Sequence, residues 1–164
     1  MNIQLTQKET LLLKDQKSHE EMCIKKYNNY SNQAQDPELK QLFKFHASQE
    51  QQHLDTINQL LNGQLPSMNQ QQNQQQNQQQ NQQQNQQQQN MNKNPGSMNN
   101  SSDADLCNDL LMTEKYVSST YDTAIFEFTN TNARQLLNHI QKEEQQHGED
   151  IFNYMQKNGM YQPQ

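Results

Sequence analysis

The sequence predicts an all-α protein, an antiparallel four-helix bundle made of two repeated helical hairpins joined by a long disordered Gln/Asn-rich crossover. Three observations lead there. Apolar side chains recur at steps of three and four in four separate stretches, the spacing of one helix face. The first pair of stretches aligns with the second at a constant offset of 94 residues, positions 9–63 on 103–157, with 11 identities in 55 and no gap. Between the pairs the composition collapses: every residue from Asn69 to Asn90 is Gln or Asn, and the run 66–102 has only Met68, Met91 and Met98 as apolar residues. That run explains why a chain of 164 residues is only 29% hydrophobic; the remainder is apolar enough for one small core.

Each helix has its own boundary signals. Thr6-Gln-Lys-Glu9 sets a carboxylate three residues after a hydroxyl, a capping box, and neither Gly nor Pro follows until Pro37. The first helix is therefore expected over about 7–33. Asp36-Pro37-Glu38 supplies an N-cap, a Pro at the first helical position and an early carboxylate, while Gly63 supplies a stop; these bound the second helix at about 37–62. Ser102-Asp-Ala-Asp105 repeats the capping-box pattern, and Thr129-Asn-Thr-Asn132 interrupts the next periodic run. A third helix over about 103–128 and a fourth over about 132–158, ahead of Gly159, follow from these signals.

The connections set the topology. Tight turns join the first helix to the second and the third to the fourth, so each pair is an antiparallel hairpin. A helix of this size is about 39 Å long, a distance that about a dozen extended residues span. The long run between the second and third helices can thus cross the whole bundle, as in ferritin-like folds with one long crossover. Neither hairpin can bury its apolar stripe alone. The expected organisation is a first hairpin over 1–65, a disordered linker over 66–102 and a second hairpin over 103–164, with one core shared between the hairpins. The linker reads as a solvated spacer unable to bury enough apolar surface to fold; stacking of its amides into β-ladders, with self-association, is the functional alternative.

Charge and cysteine content narrow the function. The formal net charge is −6, from 12 Lys+Arg against 18 Asp+Glu, with no basic face, which argues against nucleic acid as a partner. The start of the chain lacks a basic segment followed by an apolar one, and the longest aliphatic run is Leu11-Leu12-Leu13; neither a signal peptide nor a membrane span is expected. Two cysteines, Cys23 and Cys107, cannot form a disulfide framework, and synthesis in a reducing cytoplasm is expected.

The chemistry lies on the inner stripes. In the fourth helix Leu137, Ile140, Glu144, His147, Ile151 and Tyr154 share one face, and in the second Phe43, His46, Glu50, His53, Ile57 and Leu60 do the same. The third helix sets Glu114 amid Leu110, Val117 and Tyr121, and the first sets Glu20 amid Leu13, Cys23 and Tyr27. Four carboxylates and two imidazoles in one core are costly unless neutralised. No Lys or Arg shares the stripe, so two divalent cations are the simplest counter-charge. A Glu from each of two helices plus Glu-x-x-His from each of two others is the ligand set of the di-iron and di-manganese carboxylate bundles, and mixed oxygen and nitrogen donors suit Fe or Mn. The expected centre holds two Fe or Mn ions, with Glu50 and Glu144 bridging, Glu20 and Glu114 terminal, and His53 and His147 binding one ion each. A solvated Glu-Gln-Gln-His face and a metal-free buried polar network are the alternatives. The paired spacing favours metal.

Other residues take blander readings. Tyr27 and Tyr121 follow the terminal carboxylates by seven positions, where a hydrogen bond to a ligand is possible but aromatic packing is the expectation. His46, aligned with Ile140, reads as a core histidine, and His19 and His139 as outside the ligand set. Cys23 reads as a small buried hydrophobe, with cross-linking through Cys107 as the lesser alternative.

Three segments carry a family resemblance: Asp109-Leu-Leu-Met-Thr-Glu-Lys-Tyr116, Tyr121-Asp-Thr-Ala124 and Glu144-Gln-Gln-His-Gly-Glu149. Over about 103–161 the chain resembles the spore coat protein F (Coat F domain) family of endospore-forming Firmicutes, and the first hairpin resembles a more divergent copy. The resemblance implies a ferritin-like fold, synthesis in the mother cell during sporulation and deposition in the spore coat beside other coat proteins. Its motif maps onto Glu114, Glu144 and His147, and through the internal repeat onto Glu20, Glu50 and His53. It implies a structural or protective role with no catalytic residues. The alternative is a di-iron or di-manganese oxidase, peroxidase or catalase-like enzyme acting on O2, H2O2 or Fe(II).

Overall fold

A computed structural model describes residues 2–66 and 101–161. Four helices make up this part of the chain: α1 (Gln7–Gln33), α2 (Pro37–Leu61), α3 (Ser101–Glu127) and α4 (Thr131–Lys157). Among the described residues there is no strand, only an isolated bridge between Asn2 and Gln64. The Gln/Asn run expected to be a disordered linker lies, from residue 67 to 100, outside the described residues.

The boundaries arise from the signals named above, with one exception. Thr6 and Glu9 close the capping box of α1, Thr6 N–H donating to Glu9 Oε2 at 2.7 Å and Glu9 N–H to Thr6 Oγ1 at 3.1 Å. Asp36 caps α2 through Glu38 N–H at 2.9 Å, and Asn130 caps α4 through Asn132 and Ala133 N–H, both at 3.0 Å. Gly63 ends the first hairpin with φ +72°, a left-handed conformation that favours glycine. A Cβ there would also meet Ile3 O at 2.9 Å, so this position tolerates no other residue without movement. The exception is the Ser102 box. The third helix already includes residues 101 and 102, and the Asp103 carboxylate leaves its own helix to accept Gln35 N–H at 2.8 Å and Asp36 N–H at 3.0 Å.

Each helix runs antiparallel to its neighbours. Lys8 pairs with Glu127 at one end of α1·α3 and Lys26 with Asp109 towards the other; Lys157 pairs with Glu38 across α2·α4. Around the bundle the order is α1, α2, α4, α3. The chain leaves α2 beside the start of α1, where Ile3 N–H donates to Gly63 O at 2.8 Å. It re-enters α3 at the opposite end, beside the α1–α2 turn.

One compact unit contains both hairpins. Buried apolar layers occupy its two ends: Phe43, Leu39, Leu110 and Met155 at one, Leu13, Leu60, Leu136 and Phe128 at the other. The middle layer is polar, with Glu20, Glu50, His53, Glu114, Glu144 and His147 all at most 2% exposed.

The repeat is functional in the packing as well as in the letters. Glu9, the 94-residue counterpart of Asp103, accepts Thr129 N–H at 2.8 Å and Thr129 Oγ1 at 3.0 Å. The first acid of each hairpin thereby ties down the turn of the other. Replacing either acid with alanine removes the acceptor that holds the backbone donors of the opposite turn. Glu9→Ala and Asp103→Ala are each expected to lower stability by about 1–3 kcal/mol, and together by roughly the sum because they act at opposite ends. Urea unfolding followed by far-UV circular dichroism measures this, and losses below about 0.5 kcal/mol, the scale of ordinary surface changes, would deny these carboxylates a role in docking.

Candidate metal centre

Helical periodicity brings Glu20 from α1, Glu50 and His53 from α2, Glu114 from α3, and Glu144 and His147 from α4 to the same level of the bundle. Their donor atoms form two overlapping groups, each within 4.8 Å: Glu20, Glu50, His53 and Glu144, and Glu50, Glu114, Glu144 and His147. All six residues singled out from the sequence are thus brought together, and Glu50 and Glu144 belong to both groups.

The orientation of the imidazoles matches a pair of coordination sites. His53 Nδ1 lies 3.0 Å from Glu144 Oε1, 3.2 Å from Glu50 Oε2 and 3.6 Å from Glu20 Oε2. His147 Nδ1 lies 3.0 Å from Glu50 Oε1 and 3.6 Å from both Glu114 Oε1 and Glu144 Oε2. Glu50 and Glu144 therefore each turn one oxygen to each histidine, as bridging carboxylates would. The outer ring nitrogens are held elsewhere, His53 Nε2 by Glu143 Oε2 at 2.7 Å and His147 Nε2 by Gln49 Oε1 at 3.1 Å. An N–H at Nε2 leaves the Nδ1 lone pair free to face a cation. Three buried oxygens, Glu20 Oε2, Glu114 Oε2 and Glu144 Oε2, have no hydrogen-bond partner. A cation would satisfy them, so the residues present fit a dinuclear carboxylate and imidazole centre.

The surrounding polar contacts obey the repeat crosswise. Tyr27 donates its hydroxyl to Glu114 and Tyr121 donates to Glu20. Both phenols are fully buried and pushed well upward by burial and by the adjacent carboxylates. Aromatic packing, the expectation from sequence, accounts for only part of their role. The offset of seven positions pointed at the glutamate on the same helix, whereas each phenol reaches across to the other hairpin. Gln49 and Glu143 were missed: they also stand 94 apart, and the signal available was their place one residue before each repeated glutamate.

His46 is buried, as read from the sequence, with its ring centroid 4.3 Å from that of His147. Its Nε2 lies 3.1 Å from Asp150 Oδ2. His19 sits outside the centre beside Thr120 and Tyr116, and His139 reaches it only through Glu143, at 3.1 Å. Cys23 and Cys107 are both buried free thiols, which removes Cys107 as a cross-linking site.

Charge in this layer is tightly balanced. Burial and the negative charges of Glu144 and Glu50 push Glu20 and Glu114 well above the usual carboxylate range. Burial alone would lower the imidazoles, but Glu144 for His53 and Glu50 for His147 raise both well above the ordinary value. Burial likewise opposes ionisation of Glu144 and Glu50, yet the two imidazoles hold both below the usual range. Burial works against Glu143 too, and the His139 and His53 rings overcome it, bringing the group to about 2. In the six-residue cluster these directions favour protons on the two imidazoles and on Glu20 and Glu114, with Glu50 and Glu144 as the anions.

Proton linkage follows with a definite sign. Groups raised on folding contribute stability that is lost as pH climbs through their folded values; Glu20, Glu114, His53 and His147 are of this kind. Glu50 and Glu144, being lowered, lose their contribution only on acidification below about 4.5. Burial brings His46 to about 4, so it favours higher pH, but only up to about 6.5. Chelator-treated protein should therefore become less stable as pH rises above about 6.5. Denaturation midpoints across that range check this, and a flat or rising profile contradicts it.

Residues 102–164 match the family model described as Coat F domain. No curated protein matches the chain, and no solved structure does. No helix among the described residues is long and apolar enough to cross a membrane. The matched segment contains Glu114, Glu144 and His147, half of the polar layer, and over it the chain is similar to the Coat F domain.

Proposed function

We propose that this protein is a structural and protective component of the endospore coat, with a ferritin-like fold and a dinuclear metal centre in its core. The observation that carries the metal is the pair of overlapping donor groups sharing Glu50 and Glu144, with both histidine Nδ1 atoms turned inward. Two divalent ions would replace the four protons that balance the layer and would satisfy its unpartnered oxygens. Glu50 and Glu144 would bridge, Glu20 and Glu114 would close the two ends, and His53 and His147 would each hold one ion. Oxygen and imidazole donors suit Fe or Mn. Tyr27 and Tyr121 position the terminal carboxylates, and Glu143 and Gln49 fix the imidazole tautomers.

The Coat F domain supports association with other coat proteins and a place in the spore coat after synthesis in the mother cell. The phenols bound to Glu114 and Glu20 favour a second reading. An oxidisable hydroxyl on each terminal ligand suits an oxidase, peroxidase or catalase-like enzyme using O2, H2O2 or Fe(II). Oxygen- or peroxide-dependent turnover separates the two.

Metal analysis of protein from its own host, or loaded with Fe(II) or Mn(II), should give about two ions per chain. Glu50→Ala and Glu144→Ala should each lose both ions, because each removes a shared ligand, and an unmutated protein that takes up no metal refutes the centre. Tyr27→Phe and Tyr121→Phe should keep the stoichiometry while weakening affinity about 10-fold or more. Competition with a chromogenic chelator measures that loss, and unchanged affinity would reduce the tyrosines to packing.

A further inference from the structure

The 94-residue repeat makes the centre nearly symmetric in its ligands, but its two walls differ. Between α3 and α4 lies a groove of about 520 Å³ whose lining includes Glu114 and Glu144. Two positions open it. Gly148 presents no side chain, and Ser118 presents a small polar one. Their counterparts between α1 and α2 are Leu54 and Ile24, both half-buried. The polar group of the groove wall has no counterpart in the first hairpin: Gln141, whose amide donates to Ser118 O at 2.8 Å, stands where the first hairpin has buried Ala47.

The groove has the size and character to admit a hydrated ion. A cation carrying six waters occupies roughly 200 Å³ at about 30 Å³ per water, well within it. Ser119, Gln145 and Asp122 contribute polar groups along the wall, and three carboxyl groups face one ammonium, that of Lys115. Glu114 Oε2 and Glu144 Oε2, on the two acids at the groove, are buried without hydrogen-bond partners.

We propose that the α3·α4 groove is the port through which hydrated divalent cations reach the centre, so that the Glu114/His147 half loads before the Glu20/His53 half. This rests on the dinuclear reading above and adds a direction to it. The groove's amides and hydroxyls would replace an entering ion's outer waters, Glu114 and Glu144 at the groove and His147 behind them would receive it first, and the shared Glu50 and Glu144 would pass an ion on to the second half.

The test is the rate of Co(II) uptake by the full chain, followed by visible absorption in a stopped-flow instrument, beside the final stoichiometry. Gly148→Leu, which copies Leu54, should slow uptake at least 10-fold while two ions still bind at equilibrium. Gly148→Ala is a milder block whose Cβ would sit 3.8 Å from Leu111 Cδ1 and 3.9 Å from Glu114 Cβ, ordinary contacts, and it should slow uptake by less. Leu54→Gly should open the opposite wall and accelerate loading of the Glu20/His53 half. Normal Co(II) stoichiometry with unchanged rates in folded Gly148→Leu and Gly148→Ala overturns the port and leaves the centre standing. Absence of Co(II) uptake by the unmutated protein overturns the centre, and the port with it.

Discussion

Everything in this bundle depends on neutralising the polar layer at its middle. Four carboxylates and two imidazoles sit where a four-helix core would ordinarily hold leucine, and burial alone would make that layer strongly destabilising. The structure distributes the load in an orderly way. Glu50 and Glu144 face both histidines, Glu20 and Glu114 face the phenols of the opposite hairpin, and apolar layers close both ends. Three of the polar layer's carboxylate oxygens are left without a hydrogen-bond donor, and a cation could satisfy them as well as a proton.

The same layer explains why two hairpins act as one unit. Each depends on the other for its turn, through Glu9 and Asp103, and for its terminal carboxylate, through Tyr27 and Tyr121. Each also supplies the acceptor that orients the other's histidine, Glu143 for His53 and Gln49 for His147. These contacts cross between hairpins rather than along the chain. A duplicated hairpin therefore gains its polar core only when both copies are present, while point differences between copies, Gly148 against Leu54 and Ser118 against Ile24, leave room for the two walls to diverge.

Much of this was legible in the sequence. Helix spans could be read because Thr6, Asp36, Pro37, Gly63 and the Asn130 turn act locally, within a few residues of the boundary they set. The six central residues could be read because a step of three or four keeps them on one helix face, and because the same letters recur at one offset. Where the reading fell short, the partner lies on another helix. Asp103 looked like part of a local capping box and instead holds the α1–α2 turn. Tyr27 and Tyr121 looked like packing aromatics and, besides packing, bind Glu114 and Glu20 across the core.

The sequence by itself determined the four helices, the repeat and the inward stripe of Glu20, Glu50, His53, Glu114, Glu144 and His147, since periodicity and capping are short-range properties of one chain segment. Tertiary structure decided which carboxylate meets which imidazole, that the phenols and outer acceptors pair crosswise, and that one wall of the centre carries a groove. Those outcomes depend on the level and rotation at which separate helices dock. Helical spacing says which face of a helix turns inward, but what that face meets is set by the other three helices.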